Sequence, residues 1–222
     1  KIYAHGWWTN EGAKISKSIG NVIDPYDIIS EFGLDQIRFF LFREVPFGND
    51  GDFSKKAIST RINADLSNNF GNLIQRILSF AVKYSNSKIL KSNKLQDEDI
   101  KLIDVFKNKY DEYSNHMEHF QIDKAIKCIM ELLSTTNAYV DLQAPWKLKK
   151  TDINRMNDVL YFTVNIIIKS TIMLYPIIPS SSEKALSFLS ITKDKITFNN
   201  ILSLIDEDIV ILNPEPLFPR IE

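Results

Sequence analysis

One cysteine in 222 residues, Cys128, leaves no partner for an intrachain disulfide and no thiolate set for zinc. It lies in the apolar run AIKCIMELL, which fits a small buried filler. Charge of neither sign prevails, since 27 Lys and Arg stand against 28 Asp and Glu, for a net charge of −1. No global basic field therefore advertises nucleic acid, although a neutral protein can carry a locally positive groove. No stretch approaches the ~18 apolar residues of a membrane helix. KIYAHGWW also lacks the layout of a signal peptide, so a cytoplasmic protein is expected. Repeats and low-complexity tracts are missing as well. What is present is an ordinary globular composition, 44% hydrophobic and 25% charged, long enough to bury a real core.

The pattern along the chain divides it in three. KIYAHGWW and the turn set TNEG predict a strand running into a tight bend. Asp24-Pro25 opens a helix, with Pro25 in the first turn, where its missing N–H costs nothing. Gly33 interrupts, and Asp35 is expected to cap a second helix carrying Ile37, Phe40 and Leu41 on one side. PFGNDGD, residues 46–52, is the clearest linker. From Ser54 the period becomes helical, and Ile58, Ile62, Leu66, Phe70, Leu73, Ile77 and Ala81 define one buried stripe. The polar run SNSKILKSNK, residues 85–94, breaks it. Further helices are expected through Leu102, Val105, Phe106 and Tyr110, and from Gln121 to Val140 with a stop at Pro145. Another runs from a cap at Thr151 or Asp152 to Pro176, and a last one comes after a Ser180–Glu183 capping box. The expected fold class is mainly α: a helical bundle over 54–222, a linking region over 25–53, and a short strand and loop over 1–24.

GAKISKSIGN sets Lys14, Ser16, Lys17 and Ser18 between Gly12 and Gly20. Glycines let backbone N–H groups converge on an anion, serines add donors, and lysines supply compact charge for phosphate. A solvated lysine–serine loop satisfies the same five residues. Further along, Asn72 and Arg76 are spaced i, i+4 and lie at the rim of the buried stripe. Amide and guanidinium can read or stack on a base, or form a plain polar pair on the surface. Trp146 follows Pro145 and precedes Lys147, Lys149 and Lys150, which suits either base stacking or a staple between two helices.

HGWWTNEGAKISKSIGNVIDP resembles the KMSKS signature region of class I aminoacyl-tRNA synthetases, with Ile15 in place of methionine, in the form most similar to the methionyl-tRNA synthetase family. RINADLSNNFGNLIQR and YVDLQAPWKLKK resemble that family's two anticodon-binding segments, and NPEPLFPRIE resembles the close of its core. The resemblance implies that Lys14 and Lys17 are catalytic and that, with Ser16 and Ser18, they bind ATP, which enters with Mg2+ as a substrate. It implies that Asn72, Arg76 and Trp146 read the cytosine that begins the CAU anticodon of tRNA(Met), with Asp141 and Pro145 shaping the site. FGLDQIRFFLFREV resembles the stem-contact region, where Arg38 and Arg43 become RNA contacts or ordinary surface arginines.

The family's other ATP signature, an HIGH-type motif, has no match here: His5-Gly6 is followed by two tryptophans. The resemblance therefore implies the C-terminal part of a methionine–tRNA ligase, acting as a monomer. Its methionine pocket and any zinc would lie upstream. The fragment alone is expected to hold no metal or cofactor and to make no adenylate. Two alternatives remain: a non-catalytic helical tRNA-binding module, or the tail of an isoleucine, valine, leucine or cysteine synthetase.

Overall fold

The computed structural model describes residues 6–46, 48–199 and 201–221. The earliest part of the expected first strand, with His5, lies outside the described residues, as does Phe47 of the linker. A small sheet sits on a large helical body. Strand β1 (Trp8–Asn10) pairs antiparallel with β2 (Ala13–Lys14) and parallel with β3 (Gly51–Asp52). The expected linker thus folds back as a strand instead of spanning a gap. Beneath it, Trp8, Phe40 and Phe53 form a triangle of rings with centroids 5.7–5.9 Å apart.

Helix α1 (Pro25–Phe32) begins as expected, with Asp24 accepting the Tyr26 N–H and Pro25 at its first position. Gly33, at φ 91°, turns the chain into α2 (Leu34–Arg43). Two expectations change here. The buried side of α2 is Ile37, Phe39 and Phe40, while Leu41 is exposed. Asp35 lies inside α2 and does not cap it; its buried Oδ2 accepts the Ser181 N–H of α9 (Pro179–Ser187) at 2.6 Å. That contact replaces the expected Ser180–Glu183 box, because the cap position falls on Ile178, two residues before Ser180, and α9 starts at Pro179. Glu183 instead accepts the Tyr175 hydroxyl and pairs with Lys193.

The longest rod is continuous from α3 (Lys55–Arg61) through a π-helical segment (Ile62–Gly71) into α4 (Asn72–Tyr84). All seven residues of the predicted stripe are buried. Their spacing explains the wide winding. Residues 58, 62, 66 and 70 recur in fours, and each step of four overshoots a 3.6-residue turn by about 40°. Looser winding, with i→i+5 hydrogen bonds such as Asn72 N–H to Ser67 O, keeps the stripe on the core. The chain's last segment closes over this region. Asn63 exchanges two hydrogen bonds with the Ile221 backbone, and Phe218 packs on Phe70 with ring centroids 6.1 Å apart.

Helices α5 (Asp97–Glu118) and α6 (Ile122–Gln143) form an antiparallel hairpin, against which α8 (Ile153–Leu174) packs. Asp152 caps α8 by accepting the Arg155 N–H. From Val159 to Leu174, α8 is buried on every side, as expected of the central helix of a bundle. Its polar residues hold the segment beyond α9: Asn165 accepts the Ile205 N–H at 2.8 Å, and the Lys169 ammonium donates to the Ser203 carbonyl at 2.5 Å. Burial pushes the Lys169 ammonium down to about 8. The polar run after α4 contains a strand that its sequence pattern does not announce, β4 (Lys88–Ile89), paired with β5 (Ile209–Val210). Cys128 is buried, and burial raises its thiol to about 11, in keeping with an inert filler. Among the described residues, no helix is long and apolar enough to cross a membrane.

Three helices are locked by one buried ion pair. Arg155 of α8 donates both terminal nitrogens to Asp99 of α5, at 2.6 and 2.8 Å, and the Tyr139 hydroxyl of α6 donates to the same carboxylate at 2.5 Å. Burial opposes charge on Asp99, but Arg155, Tyr139 and the Gln96 N–H outweigh it and hold the carboxyl below its ordinary range. Tyr139 moves the opposite way, its hydroxyl raised by burial and by Asp99.

Candidate functional site

The lysine loop is built on a two-residue hairpin. Glu11 and Gly12, with φ of 51° and 76°, both occupy the left-handed region that such turns require. Lys14 ends β2, and the chain then winds through two tight turns, Ser16 O to Ile19 N and Lys17 O to Gly20 N. Asn21 stitches the loop: its Oδ1 accepts the Ser16 N–H at 2.8 Å and its Nδ2 donates to the Lys14 carbonyl at 3.0 Å. The Ser16 and Ser18 hydroxyls lie 2.7 Å apart. Lys14, Lys17 and Ser18 are exposed and Ser16 is half-buried. Among the described residues, neither ammonium has a carboxylate within ion-pair distance. Beyond the turn, the loop is thus organised by neutral hydrogen bonds, and among the described residues its two cationic groups are unneutralised, the arrangement an incoming anion needs.

The second group of residues meets where α4, α6 and α7 (Pro145–Thr151) converge. Ala144, left-handed at φ 46°, ends α6 and turns the chain so that Pro145 occupies the first position of α7. Pro145 therefore starts a new helix as well as stopping the old one. Trp146, next along, is 38% exposed and has the Arg76 guanidinium 5.8 Å from its ring centroid. Arg76 donates to Asp141 at 2.8 Å and to Asn137 at 3.2 Å. Its Nε is buried and has no hydrogen-bond partner among the described residues. Asn72 sits exposed one helical turn before Arg76, at the mouth of a 230 Å³ cleft with Gly71, Gln75 and Phe218. The structure therefore brings Arg76, Trp146, Asp141 and Pro145 together, with Asn72 adjoining.

Sequence reasoning missed Asn137. Its amide donates to the Asn69 carbonyl and side chain and to Leu133 O, while the Asn69 amide donates to Met130 O and the Ser134 hydroxyl. This chain of amides fixes the plane of the Arg76 guanidinium. The signal was there in Asn137 standing i, i+4 from Asp141. Of the lysines after Trp146, Lys147 and Lys150 are exposed, whereas the Lys149 ammonium lies 3.6 Å from the centroid of Tyr84.

Arg38 and Arg43 are placed differently. Arg38 donates to the Ile177 and Pro176 carbonyls at 2.8 and 2.9 Å, tying α2 to the end of α8. Arg43 lies 3.2 Å from Asp65 and is largely buried, within a network where Arg61 pairs with Glu44 and Asp65. Both guanidinium groups already serve the fold, so an RNA phosphate would meet only their remaining N–H groups.

Comparison with known proteins supplies the family. Residues 1–78 match the family described as tRNA synthetases class I (M), and residues 89–222 match the anticodon binding domain of methionyl tRNA ligase. A methionine–tRNA ligase of Rickettsia felis is 42% identical over all of this chain, which spans 44% of that protein. The Brucella suis ligase is 40% identical over 99% of the chain and 43% of its own length. The chain thus spans less than half the length of these relatives. A crystal structure of Mycobacterium tuberculosis methionyl-tRNA synthetase bound by methionyl-adenylate superposes with a TM-score of 0.91, at 33% identity, over 97% of this chain and 43% of that one. With its own helical body matched from residue 89 onward and its lysine loop matched before it, the chain belongs to the methionyl-tRNA ligase family.

Proposed function

We propose that this chain is the part of a methionine–tRNA ligase that reads the tRNA(Met) anticodon and supplies a phosphate-binding loop to the ATP site. Residues 1–24 form that loop, 25–53 the stem-contact region, and 54–222 the anticodon-binding bundle. The observation that carries the reading is the meeting of Trp146 with Arg76, from segments 70 residues apart, at a site that is neither closed nor solvated throughout. An exposed indole face can stack an unpaired base, while the part-exposed Arg76 guanidinium supplies donors, and the Asn72 amide donors and an acceptor, to its edge. Asp141 and Asn137 hold the guanidinium ready, so little ordering is needed on binding.

In the intact enzyme, methionine and ATP, accompanied by Mg2+, form methionyl-adenylate, and the aminoacyl group then passes to tRNA. Lys14 and Lys17 stabilise charge developing toward the pyrophosphate, and Ser16 and Ser18 add donors. Catalysis of this kind is electrostatic and leaves the lysines chemically unchanged. The reading also places the protein in the cytoplasm as a monomer. The test compares binding of tRNA bearing CAU with tRNA changed at the first anticodon base. Clear preference for CAU is expected, and equal binding of the two would sink the assignment.

A further inference from the structure

Strand β3 gives the hairpin more than backbone pairing. The Asp52 carboxylate reaches over to the β1–β2 turn, where Oδ1 accepts the Gly12 N–H at 3.2 Å and the Thr9 hydroxyl at 3.4 Å. Asp50 braces the same strand earlier, accepting the Trp7 N–H at 2.7 Å. Consecutive left-handed residues, Glu11 and Gly12, turn their N–H groups toward one side and make a small anion nest. Asp52 fills it. The Ser54 hydroxyl, the Gly12 N–H, the Thr9 hydroxyl and the Glu11 N–H hold its carboxyl below the ordinary value, against the opposing effect of burial. Beyond the turn, β2 is only two residues long and exposed, so its direction follows from how the turn is held. Lys14 is the second of those residues.

We propose that Asp52 is a positioning residue for Lys14: by filling the nest it fixes the turn, and the turn fixes where the lysine ammonium meets phosphate. The inference rests on the reading of the Lys14–Lys17 loop as a phosphate-binding element of the ATP site. A carboxylate forty residues along the chain from Gly12 thereby sets the geometry of a group it never touches.

The test uses the full-length ligase that contains this chain. Asp52→Ala is expected to lower kcat of methionine-dependent ATP–pyrophosphate exchange by about ten- to hundredfold, the usual cost of a displaced catalytic group, with KM for methionine unchanged. Asp52→Asn keeps an amide oxygen able to accept the Gly12 N–H and is expected to stay close to wild type. Asp52→Glu keeps the charge but pushes the carboxylate out by one methylene, so kcat should fall at an unchanged melting temperature. This variant decides the matter if Asp52→Ala fails to fold. Unchanged kcat in Asp52→Glu, or in a folded Asp52→Ala, overturns the proposal, as does a loss in Asp52→Asn as deep as in Asp52→Ala. A wild-type ligase without methionine-dependent exchange would instead overturn the reading of the loop itself.

Discussion

The lysine loop and the arginine–tryptophan site hold their charged groups in opposite ways. Lys14 and Lys17 stand in solvent on a short hairpin, with no acidic neighbour within ion-pair distance among the described residues. Arg76 is gripped by Asp141 and Asn137, and α7, which carries Trp146, follows directly from α6, a helix locked by the buried Asp99–Arg155 pair. The proposed roles give the contrast a reason. A group that stabilises transient charge works best unneutralised, whereas a group that recognises the shape and edge of a base gains from being fixed in advance. Composition agrees, for all seven glycines fall at or before residue 71 and none lies in the later helices.

The comparison can be broken most forcefully in the bundle. Asp99→Ala strands Arg155 without its buried partner and is expected to cost about 3–5 kcal/mol in denaturant unfolding. The pH dependence has a definite sign. Because the folded-state value of Asp99 is depressed, its contribution is fully present above the ordinary carboxylate value of 3.8 and fades as pH falls through the depressed one. Asp99→Asn should remove that acid limb from a plot of stability against pH.

In the loop the expectation reverses. Lys17→Ala in the full-length ligase should lower exchange kcat by about 10²–10³, the scale of one lost charge-stabilising donor. Its melting temperature should stay at the wild-type value. A drop in melting temperature comparable to that of Asp99→Ala would erase the distinction between the two regions. Trp146→Ala lies between: weakening of tRNA binding by about 1–3 kcal/mol, with loss of preference for CAU, is expected from a lost stack. Near-normal discrimination in that variant would remove Trp146 from the site. The smallest effect belongs to Lys101→Ala, which breaks an exposed pair with Glu98 within one helix and should change neither stability nor tRNA binding measurably.

Much of the fold was legible in the chain because helices announce themselves locally. The stripe from Ile58 to Ala81, the Asp24-Pro25 start, the Gly33 break and the Asp152 cap all depend on neighbours within a few residues. What the sequence withheld depends on distant partners. Asp35 looked like a cap for its own helix, yet its acceptor role goes to Ser181, 146 residues away. PFGNDGD and SNSKILKSNK read as loops, since strands two residues long carry no period of their own and exist only through β1 and β5. At the candidate site, Arg76, Asn72 and Trp146 stood out by residue type, but Asn137 and Asn69, which orient the guanidinium, are polar helix residues that gain their role only when the helices meet.

The π-helical stretch has a bearing on register. It lies between Ile58, which seats the start of the rod on the core, and Arg76, which faces Trp146. If the stretch rewound as an ordinary α-helix with every residue kept, the downstream half would be rotated by about 100°, the turn of one residue. Arg76 would then swing off the Trp146 side while Ile58 and Ile62 stayed seated. The loose coil acts as a phase shifter, setting the angle at which the Arg76 guanidinium leaves a rod packed along its whole length.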